Sequence, residues 1–109
     1  MGHLLYGSPP TQIELEDRTL AHLQIAITGK LRRSEAFTLT LPADAAAGSG
    51  RRTLWLQAAI PLQFCYDDPR QPSVNPAWLD LLAKSGSSGQ GMQLVDEPGL
   101  SRGPQTRAA

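Results

Sequence analysis

Cysteine, histidine and aromatic residues are scarce in this chain of 109 residues, which has one cysteine, two histidines and two each of tryptophan, tyrosine and phenylalanine. Cys65 has no partner for an internal disulfide, so no oxidative staple holds the fold, and a reducing cytoplasm is the expected location. His3 and His22 with that single thiol do not make a metal-ligand set, and neither a metal nor a cofactor is expected. Net charge is also lacking: ten Lys and Arg balance ten Asp and Glu. A balanced chain is not a bulk electrostatic binder of nucleic acid. No apolar run approaches the roughly 18 residues of a membrane span, so no membrane partner is expected. The opening MGHLLY lacks a basic region, a long apolar core and a small-residue cleavage site, and does not read as a signal peptide. Nucleophile signatures such as G-x-S-x-G are missing too. Gly86, Gly89 and Gly91 are not followed by G-K-[ST], and the nearest helical pattern precedes them, so they make no phosphate loop.

What is present is alternating periodicity. Residues 3–6 form a short apolar run closed by Gly7-Ser8-Pro9-Pro10, and Ile13 and Leu15 alternate with Gln12, Glu14 and Glu16, which predicts a hairpin. Asp17 is a candidate N-cap, and Leu20, Leu23, Ile27 and Leu31 form one stripe of a helix running to about Arg33. Gly29 weakens its last turn. Strands are then expected from Phe37, Leu39 and Leu41, from Leu54 and Leu56, from Leu62, Phe64 and Tyr66, and over residues 92–95. Asp67 and Asp68 begin a proline-bounded turn. Asn75-Pro76 is an N-cap followed by proline at N1, opening a short helix with Trp78, Leu81 and Leu82 on one face. These elements predict an α+β two-layer sandwich: a mostly antiparallel sheet of about five to six strands, with one longer and one short helix on one face. Residues 42–50 read as a loop. Residues 1–97 are expected to form a single domain, and residues 98–109, poor in large apolar side chains, a disordered tail.

Two surfaces stand out. On the helical wheel His22, Ala26, Lys30 and Arg33 lie opposite the apolar stripe, and Lys30, Arg32 and Arg33, joined by Arg51 and Arg52, make a local basic cluster suited to phosphate oxygens. The plainer reading is that cations near a helix C-terminus complement its dipole. Trp55 points outward among Thr and Gln side chains, where it can stack on a base, anchor a protein partner or pack under a loop. An edge strand at residues 3–6 is a further place for another chain to pair. Cys65 reads as a half-buried filler, and Trp78 as core.

Several stretches carry a family resemblance: Met1-Gly2 with Tyr6-Gly7, EDRTLAHL from Glu16, KLRRSEAF from Lys30, Trp55-Leu56, Ile60-Pro61-Leu62, Arg70-Gln71-Pro72 with Asn75, Trp78, and Glu97-Pro98. With these the chain resembles a family of small actinobacterial proteins of about this length, whose members often carry the label "ATP-dependent DNA ligase". The resemblance implies a DNA-related setting. Ligase chemistry needs a lysine nucleophile in K-x-D-G; here Lys30 precedes Leu-Arg-Arg and Lys84 precedes Ser-Gly-Ser. Two functions therefore stand side by side: a non-catalytic module that contacts nucleic acid through Lys30, Arg32, Arg33, Arg51 and Arg52, or a protein-interaction or self-associating module that uses Trp55 or a strand edge. Adenylation of a lysine is the disfavoured third.

Overall fold

A computed structural model of the chain describes residues 1–42 and 50–99. The strands β1 (Gly2–Tyr6) and β2 (Thr11–Leu15) form the expected hairpin, followed by α1 (Asp17–Arg32), β3 (Phe37–Leu41), β4 (Arg52–Leu56), β5 (Leu62–Cys65), α2 (Pro76–Gly86) and β6 (Met92–Gln93). The architecture is α+β. Its strands divide between two three-stranded sheets, ordered β2-β1-β5 and β4-β3-β6, where the strand pattern suggests one. Pairing is antiparallel except between β3 and β6, which run parallel with Leu39 beside Met92. The final strand is shorter than its apolar run: the Leu94 amide makes the last bond to β3, at the Thr40 carbonyl (3.0 Å), and Val95 lies beyond the pairing.

One core serves both sheets. Leu4 and Ile13 from the first, Leu39 and Leu56 from the second, Leu20, Leu23 and Ile27 from α1 and Trp78, Leu82 and Met92 beyond them form a single buried cluster. Gly91, at φ +82°, lets the chain enter β6 against Thr38; a Cβ there would meet the Thr38 carbonyl at 2.8 Å.

Helix ends differ from their sequence signals in instructive ways. Asn75 caps α2 as expected, its side chain accepting from the Ala77 and Trp78 amides. Asp17, the expected cap of α1, is instead its first residue. The cap position falls to Glu16, whose side chain makes no capping bond, while the Asp17 carboxylate is engaged elsewhere, accepting from the amides of Asp67 and Asp68 at 3.2 and 2.9 Å. Gly29 does not break α1. The helix ends with Ser34 at φ 60°, its amide bonding to the Leu31 carbonyl and the Glu35 amide to that of Lys30, a Schellman arrangement. On α2 the expected apolar face is narrower: Trp78 and Leu82 are buried, but Leu81 is exposed. Residues 43–49 of the expected loop, and 100–109 of the expected tail, lie outside the described residues.

Candidate functional site

The structure takes the basic cluster apart. Lys30 and His22 do not sit on an outward stripe: His22 is fully buried and the Lys30 side chain is 7% exposed. The physical reason is a second partner. Sheet β2-β1-β5 covers one flank of α1 and α2 covers the adjacent one, with Gly86 against the Lys30 chain. The Lys30 ammonium bonds to Glu35 at 2.9 Å and lies 5.7 Å from the Phe37 ring centre. Arg33 bonds the other Glu35 oxygen at 2.9 Å. The hydrogen bonds from Arg33 and Lys30 pull the Glu35 carboxyl down to about 2, so it is ionised at neutral pH and pairs with both cations, leaving the trio with one net positive charge. Arg32 and Arg51 are exposed and Arg52 is half-buried, and none of the three is in an ion pair among the described residues. Arg52 pairs with Leu41, at the opposite end of the β3–β4 hairpin from Phe37. That separation is roughly 13 Å along the strand, so Arg51 and Arg52 do not extend the cluster at the end of α1.

Trp55 is where the alternation places it. It is half exposed (52%) on β4, across from Thr38. Its carbonyl accepts a hydrogen bond from the Tyr6 hydroxyl at 2.7 Å, which fixes the end of β1 against the outer edge of β4. Residues 3–6 are not an edge: β1 is the central strand of its sheet, flanked by β2 and β5. The hairpin with β2 accounts for one side. The pairing with β5, far along the chain, leaves no local signal.

A seam that the sequence did not single out runs along α1 and β5. At one end a cavity of about 600 Å³ lies between Ala21, Gln24 and Ile25 of α1 and the turn carrying Tyr66, Pro72 and Val74. Ile25 and Val74 are both exposed there. Tyr66, whose phenol burial pushes up and keeps neutral, donates to Gln24 across the seam. Farther along, a smaller cavity of about 320 Å³ is lined by Ile27, Leu31 and Arg32 from α1, and by Ile60, Leu62 and Phe64. Leu62 and Phe64 are only half-buried, because the helix does not fully cover the edge strand.

The hydrogen-bond phase of that edge follows from one contact. The Gly7 amide donates to the Pro61 carbonyl at 3.0 Å. Antiparallel pairs alternate between bonded and unbonded. Tyr6–Leu62 and Leu4–Phe64 are therefore unbonded pairs, and the backbone groups of Leu62 and Phe64 turn away from β1. No backbone partner meets them among the described residues.

The richest polar arrangement is structural. Arg18 grips Glu97 in a fork, Nε to Oε1 at 2.7 Å and Nη2 to Oε2 at 2.6 Å. Asn75 Nδ2 adds a bond to Glu97 at 2.8 Å. The Arg18 bonds, supported by Asn75, hold the buried Glu97 carboxyl at about 2. His22 Nδ1 donates to the Arg18 carbonyl while Nε2 accepts from the Asn75 amide, each at 2.8 Å, which defines its neutral tautomer. Its ring lies 4.5 Å from that of Trp78, whose Nε1 donates to the Val95 carbonyl. Every group here is used in tying α1, the start of α2 and the C-terminal segment together. Nothing in this arrangement indicates catalysis. No group of three His, Cys, Asp or Glu among the described residues is placed to hold a metal ion. Asn75-Pro76 is legible in the sequence as a cap; the partnership of Arg18 with Glu97, 79 positions apart, carries no sequence signal.

Fold and site together define a small α+β domain with a fully used internal polar network and an open apolar seam beside an edge strand. The chain belongs to the family of the domain of unknown function DUF7882, which matches residues 1–97. No curated protein and no solved structure matches it. Among the described residues no helix is long and apolar enough to cross a membrane.

Proposed function

We propose that the protein is a small non-catalytic binding module whose partner is a polypeptide, either another protein or a second copy of itself. The observation that carries this reading is the α1–β5 seam, where apolar side chains stay half exposed beside unpaired strand backbone. Exposed Trp55 on β4 offers a second anchor of the kind that protein interfaces use. Residues 1–97 are read as the module, with 98–109 as a tail, in a reducing cytoplasm consistent with the single thiol.

A nucleic-acid role is the second reading, favoured by exposed Arg32 and Arg51 and by Arg52. Two of the five expected contacts, Lys30 and Arg33, already pair with the one Glu35 carboxylate, which offsets one of their two charges, and Lys30 is buried. Lysine adenylation, the ligase-like alternative, is weakened further. Lys30 is buried on Glu35, and the Lys84 amine pairs with Asp80 at 3.0 Å.

Two measurements separate the readings. Sedimentation velocity over a concentration series, together with panning against a displayed library of random peptides, tests polypeptide binding. A gel shift with single- and double-stranded DNA at about 50 mM salt tests the other. The expected outcome is self-association or selected peptides, with no DNA retardation. DNA binding that falls steeply with salt and is weakened by Arg51→Glu and Arg52→Glu, with neither peptides nor self-association, would overturn the proposal.

A further inference from the structure

We infer that the furrow between α1 and the free edge of β5 accepts an extended peptide segment as an added strand, with an acidic group of that segment against Arg32. This rests on the polypeptide-binding reading and names the partner's chemistry.

Three observations converge on it. The first is the backbone. Leu62 and Phe64 each turn an N–H and a C=O away from β1, as the Gly7–Pro61 bond dictates. Two donors and two acceptors at alternate residues are the pattern that an incoming strand satisfies, and strand addition to an edge is a general mode of peptide recognition. Edges are usually protected by charge, proline or a covering element. β2, the opposite edge of the same sheet, carries exposed Glu14. Leu62 and Phe64 carry no charge, and only Pro61 precedes them.

The second is shape. The side chains of Leu62 and Phe64 share one face of β5 and line the 320 Å³ cavity with Ile27 and Leu31 of α1. A strand added beyond β5 projects its alternate side chains toward the same face. The cavity is then the pocket for an apolar side chain of the incoming segment.

The third is charge. Arg32 is the charged residue of the cavity lining, which contains no carboxylate. It is exposed and in no ion pair among the described residues, unlike its neighbour Arg33. The last-turn carbonyls of Lys30 and Leu31 are already occupied by the amides of Arg33, Ser34 and Glu35. The guanidinium therefore reaches outward with donors to spare, in the geometry suited to a carboxylate.

The test uses the full chain and an array of fluorescent peptides of about eight residues, the length of an ordinary strand. Valine and threonine alternate along each peptide, with one aspartate or glutamate placed at each position in turn; the controls carry lysine or glutamine there. Binding is read by fluorescence polarisation, and the Leu62 and Phe64 amides by hydrogen exchange in the NMR spectrum. Acidic peptides are expected to bind about tenfold tighter than their lysine counterparts, and exchange at Leu62 and Phe64 slows in the complex. Arg32→Glu, an exposed change at a helix end that leaves the fold intact, reverses the preference. Binding without charge preference, or without protection at Leu62 and Phe64, overturns the furrow while the polypeptide reading stands. If no peptide binds but the chain self-associates or selects other polypeptides, the furrow is likewise excluded alone. If neither occurs, both fall.

Discussion

Glu97 is the residue on which the C-terminal segment depends. It is buried, it receives the Arg18 fork and the Asn75 amide, and it sits at the last matched residue of the family domain. Its ordinary value of 4.5 falls to about 2 in the fold. A carboxyl depressed on folding stabilises above its unfolded pKa, and that stability is lost as pH drops through the folded value. Glu97→Gln is expected to lower stability at neutral pH by about 2 kcal/mol, the worth of hydrogen bonds to a charged group. It should also flatten the part of the acid-unfolding curve lying between 4.5 and about 2. Denaturant melts at pH 7 and across that window check both. Of this site the sequence discloses Asn75, because a cap is local. Arg18 and Glu97 were ordinary charges until the chain brought them together. Lys30 is buried although the helical wheel predicts it outward, for the same reason: the wheel distinguishes an apolar stripe from the rest, but not whether a second helix will cover the rest.

Among the elements, α1 shows how far local pattern reaches. The spacing of Leu20, Leu23, Ile27 and Leu31 predicts its inward stripe; the first three are fully buried and Leu31, in the last turn, is partly buried. The pattern predicts its end at about Arg33 and the helix ends at Arg32, but the motif that ends it has no signal in the pattern. Ser34 occupies the left-handed position that glycine fills at least cost. Replacing it by glycine removes the Cβ penalty, and Ser34→Gly is expected to raise stability by about 1 kcal/mol. Urea denaturation of the variant measures this, and a loss of stability would show that the serine side chain holds the turn in another way. The strands tell a complementary story. Alternation assigned the inward residues of β3 and β4 correctly, with Phe37, Leu39, Leu41, Leu54 and Leu56 all buried. It could not say that β1 is central, since pairing with β5 spans some 60 positions, and no period of two encodes a distant neighbour.

For the whole molecule the question is whether two sheets make one folding unit. A single buried cluster draws on both sheets and both helices, and Tyr6 and Arg18 bridge parts distant in sequence. One cooperative transition is therefore expected. Trp78 is buried and Trp55 exposed, so in a Trp55→Phe variant the remaining indole reports the core. Its urea transition should coincide with that of the far-ultraviolet circular dichroism. Two separated midpoints would mean that the sheets unfold independently.

By itself, the sequence determined the α+β class, the succession of elements, the inward leucines and phenylalanine of β3 and β4, and the cap of α2. These rest on side-chain period, proline and capping chemistry, which act over a few residues. Only the tertiary structure decided that the strands split into two sheets, that β5 is left as an edge against α1, that Glu35 pairs with both Lys30 and Arg33, and that Arg32 stands clear beside an apolar furrow. Those outcomes depend on burial and on pairing across long stretches of chain. A balanced count of charges does not reveal which of them the fold uses up and which it leaves for a partner.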